Sequence, residues 1–351
     1  VEFSENAIKS LVGMKSLNTS TGAGYGDEFV AEGWRATLWE KPRIDNVVAQ
    51  NTIFIPMPQD PYKLPIESTD PVVYAVSQTA NENQLGINDS NAAIPDTRVA
   101  TANTTMTSGK LALRVGVAEE LQEDSIIPVV TLWRQQAVRA MEDARDNVLL
   151  NADDETGSTN INQDGASATA GSKFLYGGGN GFLELPLSTD TTLSVDNGGG
   201  YPTLSKIREA RRKLGRHMIS DLANLVIYVD PLTYVSLLQV DELNTFLNNG
   251  QFATVMTGEV GRIDNIPVFV TNEMASAQGT NGKVSNTAGS NTKGRLAIVH
   301  KPSWIAGYRR EIRTAFEYIS YLDAWQLTVT MRMALVRRSA DCSAVLYNIA
   351  I

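Results

Sequence analysis

Apolar residues recur at three- and four-residue spacing over 126–151, where Val130, Trp133, Ala137, Met141, Ala144 and Val148 share one stripe. The spacing predicts the strongest helix of the chain. Asp124 and Ser125 supply capping side chains, and Pro128 suits a first turn. On the wet face, Arg139 pairs with Asp143 and Glu142 with Arg145 at helical spacing. At ~1.5 Å per residue this helix runs nearly 40 Å, a spine for the rest to pack along. A second helix is predicted over 203–217, with Leu204, Ile207, Ala210 and Leu214 inward. A shorter one starts at Asp27, with Phe29, Val30, Trp34 and Leu38 on one side, and stops at Pro42.

Strand patterns lie at 47–58, 72–76 and 110–117, with short hairpin strands at 174–176 and 182–186. LVIYV (225–229) reads as a buried strand running into Asp230-Pro231, which opens a helix to about residue 239. RIDNIPVFVT (262–271) reads as a hairpin turning at Asp264-Asn265. LAIVH, RREIRTAF and AWQLTVTMRMALV alternate like strands in the last part of the chain. Helices and strands are mixed in order with no solenoid period, so the class is α+β.

Between these elements lie polar stretches. Residues 1–26 read as an arm, and 152–202 and 276–294 are rich in Gly, Asn, Ser and Thr. In 77–109 only Leu85, Ile87, Ile94, Val99 and Met106 are large and apolar. So little apolar surface cannot offset an ordering cost of ~1–2 kcal/mol per residue. The span is either a disordered surface loop or an extended two-stranded arm whose contacts come from a neighbouring molecule.

The 351 residues allow two domains or one elaborated domain. Hydrophobic residues are 42% and charged residues 20%, which excludes a wholly disordered chain. The net charge of −9 argues against reading DNA sequence as the main task. Cys342 is the only cysteine, so there is no internal disulfide framework. With His217 and His300 it falls short of a closed four-ligand zinc site. No run reaches the ~20 apolar residues of a membrane helix, so no membrane partner is expected. VEFSENAIKS has no apolar core of a signal peptide, and the first residue is Val, through trimming or cleavage.

GAGYGD (22–26 and Asp27) and GGGNGF (177–182) look superficially like phosphate cradles. Neither follows a strand and opens a helix, and neither leads into Lys-Ser/Thr, so both read as turns. No GxSxG elbow accompanies the histidines. Asp153, Asp154 and Glu155 lie on a loop after a helix, where solvated acids outweigh an acid/base pair and a hard cation stays open. No catalytic, cofactor or metal residue is assigned. The 203–217 helix is the strongest electrostatic feature. Lys206, Arg208, Arg211, Arg212, Lys213 and Arg216 stand against Glu209 alone. This is a solvated face, a phosphate contact, or a subunit contact against acids at 119–124 (Glu119, Glu120, Glu123, Asp124) or 142–155.

The order of these parts resembles the major capsid proteins of tailed phages, with the Hong Kong 97-type fold that encapsulins share. LALRVGVAEELQEDSIIPVVTLWRQQAVRAMEDARDNVLLNADDETG (111–157) carries the resemblance most specifically. In the family a strand leads through an acidic "LQED" turn into the spine helix and ends near "LLNGD"; here the end reads LLNAD. LSKIREARRKLGRH, NLVIYVDPLTYVSLL and GRIDNIPVFVTNEM follow in the order of the family's axial domain. The resemblance implies an N-terminal arm at 1–40, a peripheral domain at 41–69 and 111–202, and an extended loop at 70–110. It further implies an axial domain at 203–300 and strands returning to the peripheral domain at 301–351.

The implied function is that of a structural subunit, not an enzyme. It would form pentamers and hexamers of an icosahedral virion head around double-stranded DNA, contacted non-specifically, and assemble in the host cytoplasm. An encapsulin-like shell is the alternative. Implied partners are further copies of the chain, a portal protein and, where used, scaffolding protein, maturation protease and decoration protein. Some members join an extended-loop lysine to a neighbour's asparagine. Residues 70–109 contain no lysine, and Lys63 and Lys110 lie only at the loop's base, so no such cross-link is expected.

Overall fold

A computed structural model of the chain describes residues 46–73, 97, 99–124, 129–155, 159–162, 179–240, 261–275, 277–287 and 289–351. The expected arm, the helix from Asp27, most of the strand at 72–76, the span 77–96 and the strand at 174–176 lie outside these residues.

The spine helix α3 (Val129–Asn151) follows the stripe read from the sequence, with Ala137, Met141 and Val148 buried. It lies on a four-stranded sheet whose order is β1 (Ile53–Pro56), β10 (Trp304–Ile319), β11 (Ala324–Arg337) and β4 (Gly109–Ala118). Leu111 and Val117 of β4 and Leu327, Val329, Met331 and Met333 of β11 are buried, as the two-residue period of a one-sided sheet requires. Before β1 stands a short helix, α1 (Val47–Gln50), so the strand expected over 47–58 occupies only its middle. The reason is Asp146 on α3. Its buried carboxylate accepts the N–H groups of Val48 (3.0 Å) and Ala49 (3.2 Å), the kind of orphan donors a helix start leaves.

The acidic segment expected as a turn is a one-and-a-half-turn helix, α2 (Glu119–Asp124). At the other end of α3, the carbonyls of Leu149 and Leu150 accept the N–H groups of Phe182 (2.9 Å) and Leu183 (3.0 Å). This explains why 182–186 is not a strand. Its amides cap the spine, and the chain continues as a π-helical turn, Leu185–Thr189. A Cβ on Gly181 would stand 2.6 Å from the Leu150 carbonyl oxygen, so the close approach requires glycine there.

A six-stranded sheet has the order β5 (Ser194–Asp196), β12 (Ser343–Ala350), β9 (Lys293–His300), β6 (Leu225–Val229), β8 (Ile266–Val270) and β7 (Arg262–Ile263). β6 is buried at every residue, as its unbroken apolar run predicts. Asp230 caps α6 (Pro231–Leu237), accepting the N–H groups of Leu232 and Thr233 at 3.0 and 3.3 Å. Asp264 and Asn265 adopt left-handed φ values of 49° and 67° in the predicted hairpin turn. The buried Arg295 of β9 donates to Asn151 Oδ1 at 2.9 Å, tying the spine's end to this sheet. One contiguous apolar core spans both sheets.

Two further expectations are corrected. The helix predicted over 203–217 is two helices, α4 (Leu204–Arg211) and α5 (Arg216–Ile219). Between them the N–H of Gly215 turns aside to donate to Asp341 O at 3.2 Å. The return strands expected over 301–351 divide: β10 and β11 join the four-stranded sheet, whereas β12, buried at six of its eight residues, joins the other. The polar loop expected over 276–294 is a loop up to β9, held by hydrogen bonds. Gln278 pairs in both directions with Lys293, and Val284 donates to Ile161 O at 2.8 Å.

Candidate assembly surfaces

Among the described residues β2 (Tyr62–Thr69) and β3 (Ala100–Met106) pair only with each other, and their side chains are mostly exposed. A two-stranded ribbon alone in water is at best marginally stable, so its base must be held. Met57, Met106 and Ala334 form a small separate core there. Asp60 accepts from the Ser108 N–H at 3.1 Å, from the Ser108 hydroxyl, and from Arg332 at 2.6 Å. The Ser108 hydrogen bonds, helped by Arg332 and Arg309, hold the Asp60 carboxyl below the usual carboxylate range. Past the ribbon, Val73 is 94% exposed.

On α4, Thr203 accepts the Lys206 N–H, and the basic side chains divide. Arg208 grips Asp264 with two 2.8 Å hydrogen bonds, and Arg211 reaches the same carboxylate at 3.4 Å. Arg208's hydrogen bonds lower the Asp264 pKa, with Arg211 adding to the effect. Lys206 pairs with Glu209 at 3.0 Å. Arg212 and Arg216 are exposed, with no ion pair among the described residues. On α2, Glu120 and Glu123 are exposed, and the Glu119 N–H donates to Asp323 O at 3.2 Å. The Asp124 side chain lies outside the described residues. Among these, no acid of α2 pairs with α4, so the two segments are not brought together within one chain.

A further charged surface went unread in the sequence. Lys110 of β4, Arg332 of β11 and Arg310 of β10 stand side by side in one cross-strand row. Each comes from a different strand, and only the register aligns them.

The groups weighed for catalysis have structural roles. The buried His300 joins Ser303 (2.8 Å) on one ring nitrogen and Asp221 (3.3 Å) on the other. The trio looks like a hydrolase triad, but Ser303 is itself buried beside the histidine, in a turn three residues on. Burial pushes the Cys342 thiol up to about 12, far from thiolate chemistry at neutral pH. Asp153 is turned inward, accepting the N–H groups of Ile161 (2.8 Å) and Glu155 (2.9 Å). Among the described residues no three His, Cys, Asp or Glu side chains are placed to hold a metal, and no helix is long and apolar enough to cross a membrane.

No family profile matches the sequence. The major capsid protein of Escherichia phage T5 is 24% identical over 232 residues, 66% of this chain and 44% of that protein. The chain thus spans less than half the length of that relative. The capsid of a native GTA particle superposes with a TM-score of 0.62 at 15% identity, covering 96% of this chain and all of that one. The capsid of cyanophage P-SCSP1u gives 0.62 at 12% identity, covering 95% and 96%. The fold is that of phage and GTA capsid chains. A capsid fold makes sense of a ribbon exposed on both faces. These relatives are named as capsid proteins.

Proposed function

We propose that the protein is a major capsid protein that builds an icosahedral head from pentamers and hexamers around double-stranded DNA. The carrying observation is the β2–β3 ribbon, pinned at its base and exposed along its length, in a chain whose fold matches a capsid chain over 96% of its residues. In this reading, the ribbon and its connecting residues, 62–106, are the extended loop of a Hong Kong 97-type subunit, which thus begins ahead of the 70–110 expected from the sequence. Residues 1–40 form the arm, the four-stranded sheet with α3 the peripheral domain, and the six-stranded sheet the axial domain. β12 belongs to the axial domain by its pairing.

Arg212 and Arg216 then reach Glu120 and Glu123 of an adjacent copy, while Arg208 and Arg211 brace Asp264 at home. Portal, scaffolding, protease and decoration partners follow from the same reading. The encapsulin-like alternative is less favoured, since the named neighbours are phage and GTA capsids. Stability comes from burial and swapped arms rather than covalent joining, because 70–109 carries no lysine and Lys63 and Lys110 lie only at the ribbon's base.

Electron microscopy of the expressed full chain tests the reading: closed shells are expected, and a monodisperse monomer under assembly conditions overturns it. Denaturing gels of mature heads should show intact monomer; a ladder of covalent oligomers refutes the uncross-linked shell.

A further inference from the structure

Four Asn-Gly steps occur along the chain, at 180–181, 197–198, 249–250 and 281–282. At such a step the glycine nitrogen can attack the asparagine carboxamide carbon, because glycine has no Cβ to obstruct the turn this needs. Step 249–250 lies outside the described residues. The other three differ in space and in the partner of the glycine N–H. A Cβ on Gly181 would meet the Leu150 carbonyl oxygen at 2.6 Å, and one on Gly282 would meet the Tyr347 Cβ at 2.8 Å, so both peptides are wedged in place. A Cβ on Gly198 would meet nothing within 4 Å. Gly181 donates to Ala152 O (2.7 Å) and Gly282 to Gly279 O (3.0 Å), backbone carbonyls that take no proton at neutral pH. Gly198 donates instead to the Asp196 carboxylate, at 2.7 Å.

We infer that Asn197 is a site of self-modification, at which Asp196 removes the Gly198 N–H proton and the chain converts Asn197 to aspartate and isoaspartate. The Gly198 nitrogen bonds to Asn197 Cγ as its proton passes to the Asp196 carboxylate. The Cγ–Nδ2 bond then breaks. Nδ2 leaves as ammonia with a proton from solvent, and Asp196 returns its own proton to solvent. Before the reaction Nδ2 donates to Gly200 O (2.6 Å) and Tyr201 O (3.2 Å), acceptors that favour the nitrogen in its protonated, departing form. A cyclic imide remains, and water opens it at either carbonyl. In sum, asparagine and water become a carboxylate and ammonium.

The turn that holds Asn197 also seats β12. The Asn197 N–H donates to Tyr347 O (3.0 Å), the Gly199 N–H to Asn348 O (2.9 Å), and Gly200 O accepts from Ala350 (2.9 Å). Asp196 further accepts from the Asn348 side chain at 2.8 Å. Isoaspartate lengthens the main chain by a methylene between the first two of these donors. They then no longer match consecutive carbonyls of β12, and the strand's end loosens.

The test follows the purified full-length chain at neutral pH over weeks, by peptide mapping that separates aspartate from isoaspartate. Asn197 should convert about tenfold faster than Asn180 and Asn281 in the same sample. Asp196→Asn keeps an oxygen to accept the Gly198 N–H but removes the base, and should slow conversion at Asn197 about tenfold. The pH profile distinguishes a base from a carboxylate that only shapes the turn. In Asp196→Asn the rate should climb with hydroxide, about tenfold per pH unit, whereas the wild-type rate should be nearly flat between about pH 5 and pH 7. Equal conversion at the three asparagines overturns the proposal. So does a wild-type profile as steep as that of Asp196→Asn, or an equal rate in the two chains. In the aged wild type, hydrogen exchange should quicken at 347–350 and stay unchanged in β6; unchanged exchange at 347–350 overturns the coupling to β12.

Discussion

Replacing Asp146 with asparagine probes the junction between the spine and the start of β1. The carboxylate is fully buried, accepts two amides of α1, and has Arg145 at 3.9 Å with Asp143 adding repulsion. Burial dominates and raises its pKa from 3.8 to about 6. Between those values the folded chain holds a proton that the unfolded chain has released, so stability falls as pH rises through this window. The full shift corresponds to about 3 kcal/mol, with about 2 kcal/mol of it lost between pH 4 and pH 7. The amide of the variant cannot titrate and keeps one acceptor for the two backbone N–H groups. Urea unfolding of the unassembled subunit, followed by tryptophan fluorescence, measures the difference between wild type and Asp146→Asn. That difference should move about 2 kcal/mol against the wild type on going from pH 4 to pH 7. A difference that stays constant, or moves the other way, refutes the argument that desolvation governs this carboxyl.

Gly181→Ala forces a methyl against the Leu150 carbonyl and should cost about 2–4 kcal/mol by unseating the amides that cap α3; a melting temperature equal to wild type contradicts this. Met106→Ala empties the core at the ribbon's base, at about 2–5 kcal/mol of local stability. Hydrogen exchange should quicken in 62–69 and 100–106 and stay unchanged in β6. Asp264→Asn keeps a residue that tolerates left-handed backbone but loses the grip on Arg208, costing no more than about 1 kcal/mol. The cost should vanish in high salt, and a larger, salt-independent loss would show that the pair is not a surface ion pair.

The elements that were legible in the sequence owe their form to near neighbours. The α3 stripe, the Asp230-Pro231 cap and the Asp264-Asn265 turn are set within a few residues. The elements that were misread answer to distant partners. Leu214 keeps the helical period past the end of α4, but the break is made by Asp341, far along the chain. Residues 182–186 are a short apolar run after a Gly-rich turn, which reads as a hairpin strand, yet the first two of their amides are claimed by α3 carbonyls some thirty residues back. The same holds for the surfaces. The basic helix was visible because its charges are consecutive, although two of its arginines serve Asp264. The Lys110–Arg332–Arg310 row was invisible because register brings β4 against strands some two hundred residues further along the chain.

The seat of β12 also bears on synthesis. This strand lies between β5 and β9, and β1 waits for β10, so both sheets close only once residues beyond 303 are in place. Such long-range pairing makes folding slow. A ribosome that stalls before residue 343 releases a product with an open gap in its second sheet and apolar strands facing water. Chains cut short of β12 should therefore be cleaved by added protease faster than chains that carry it.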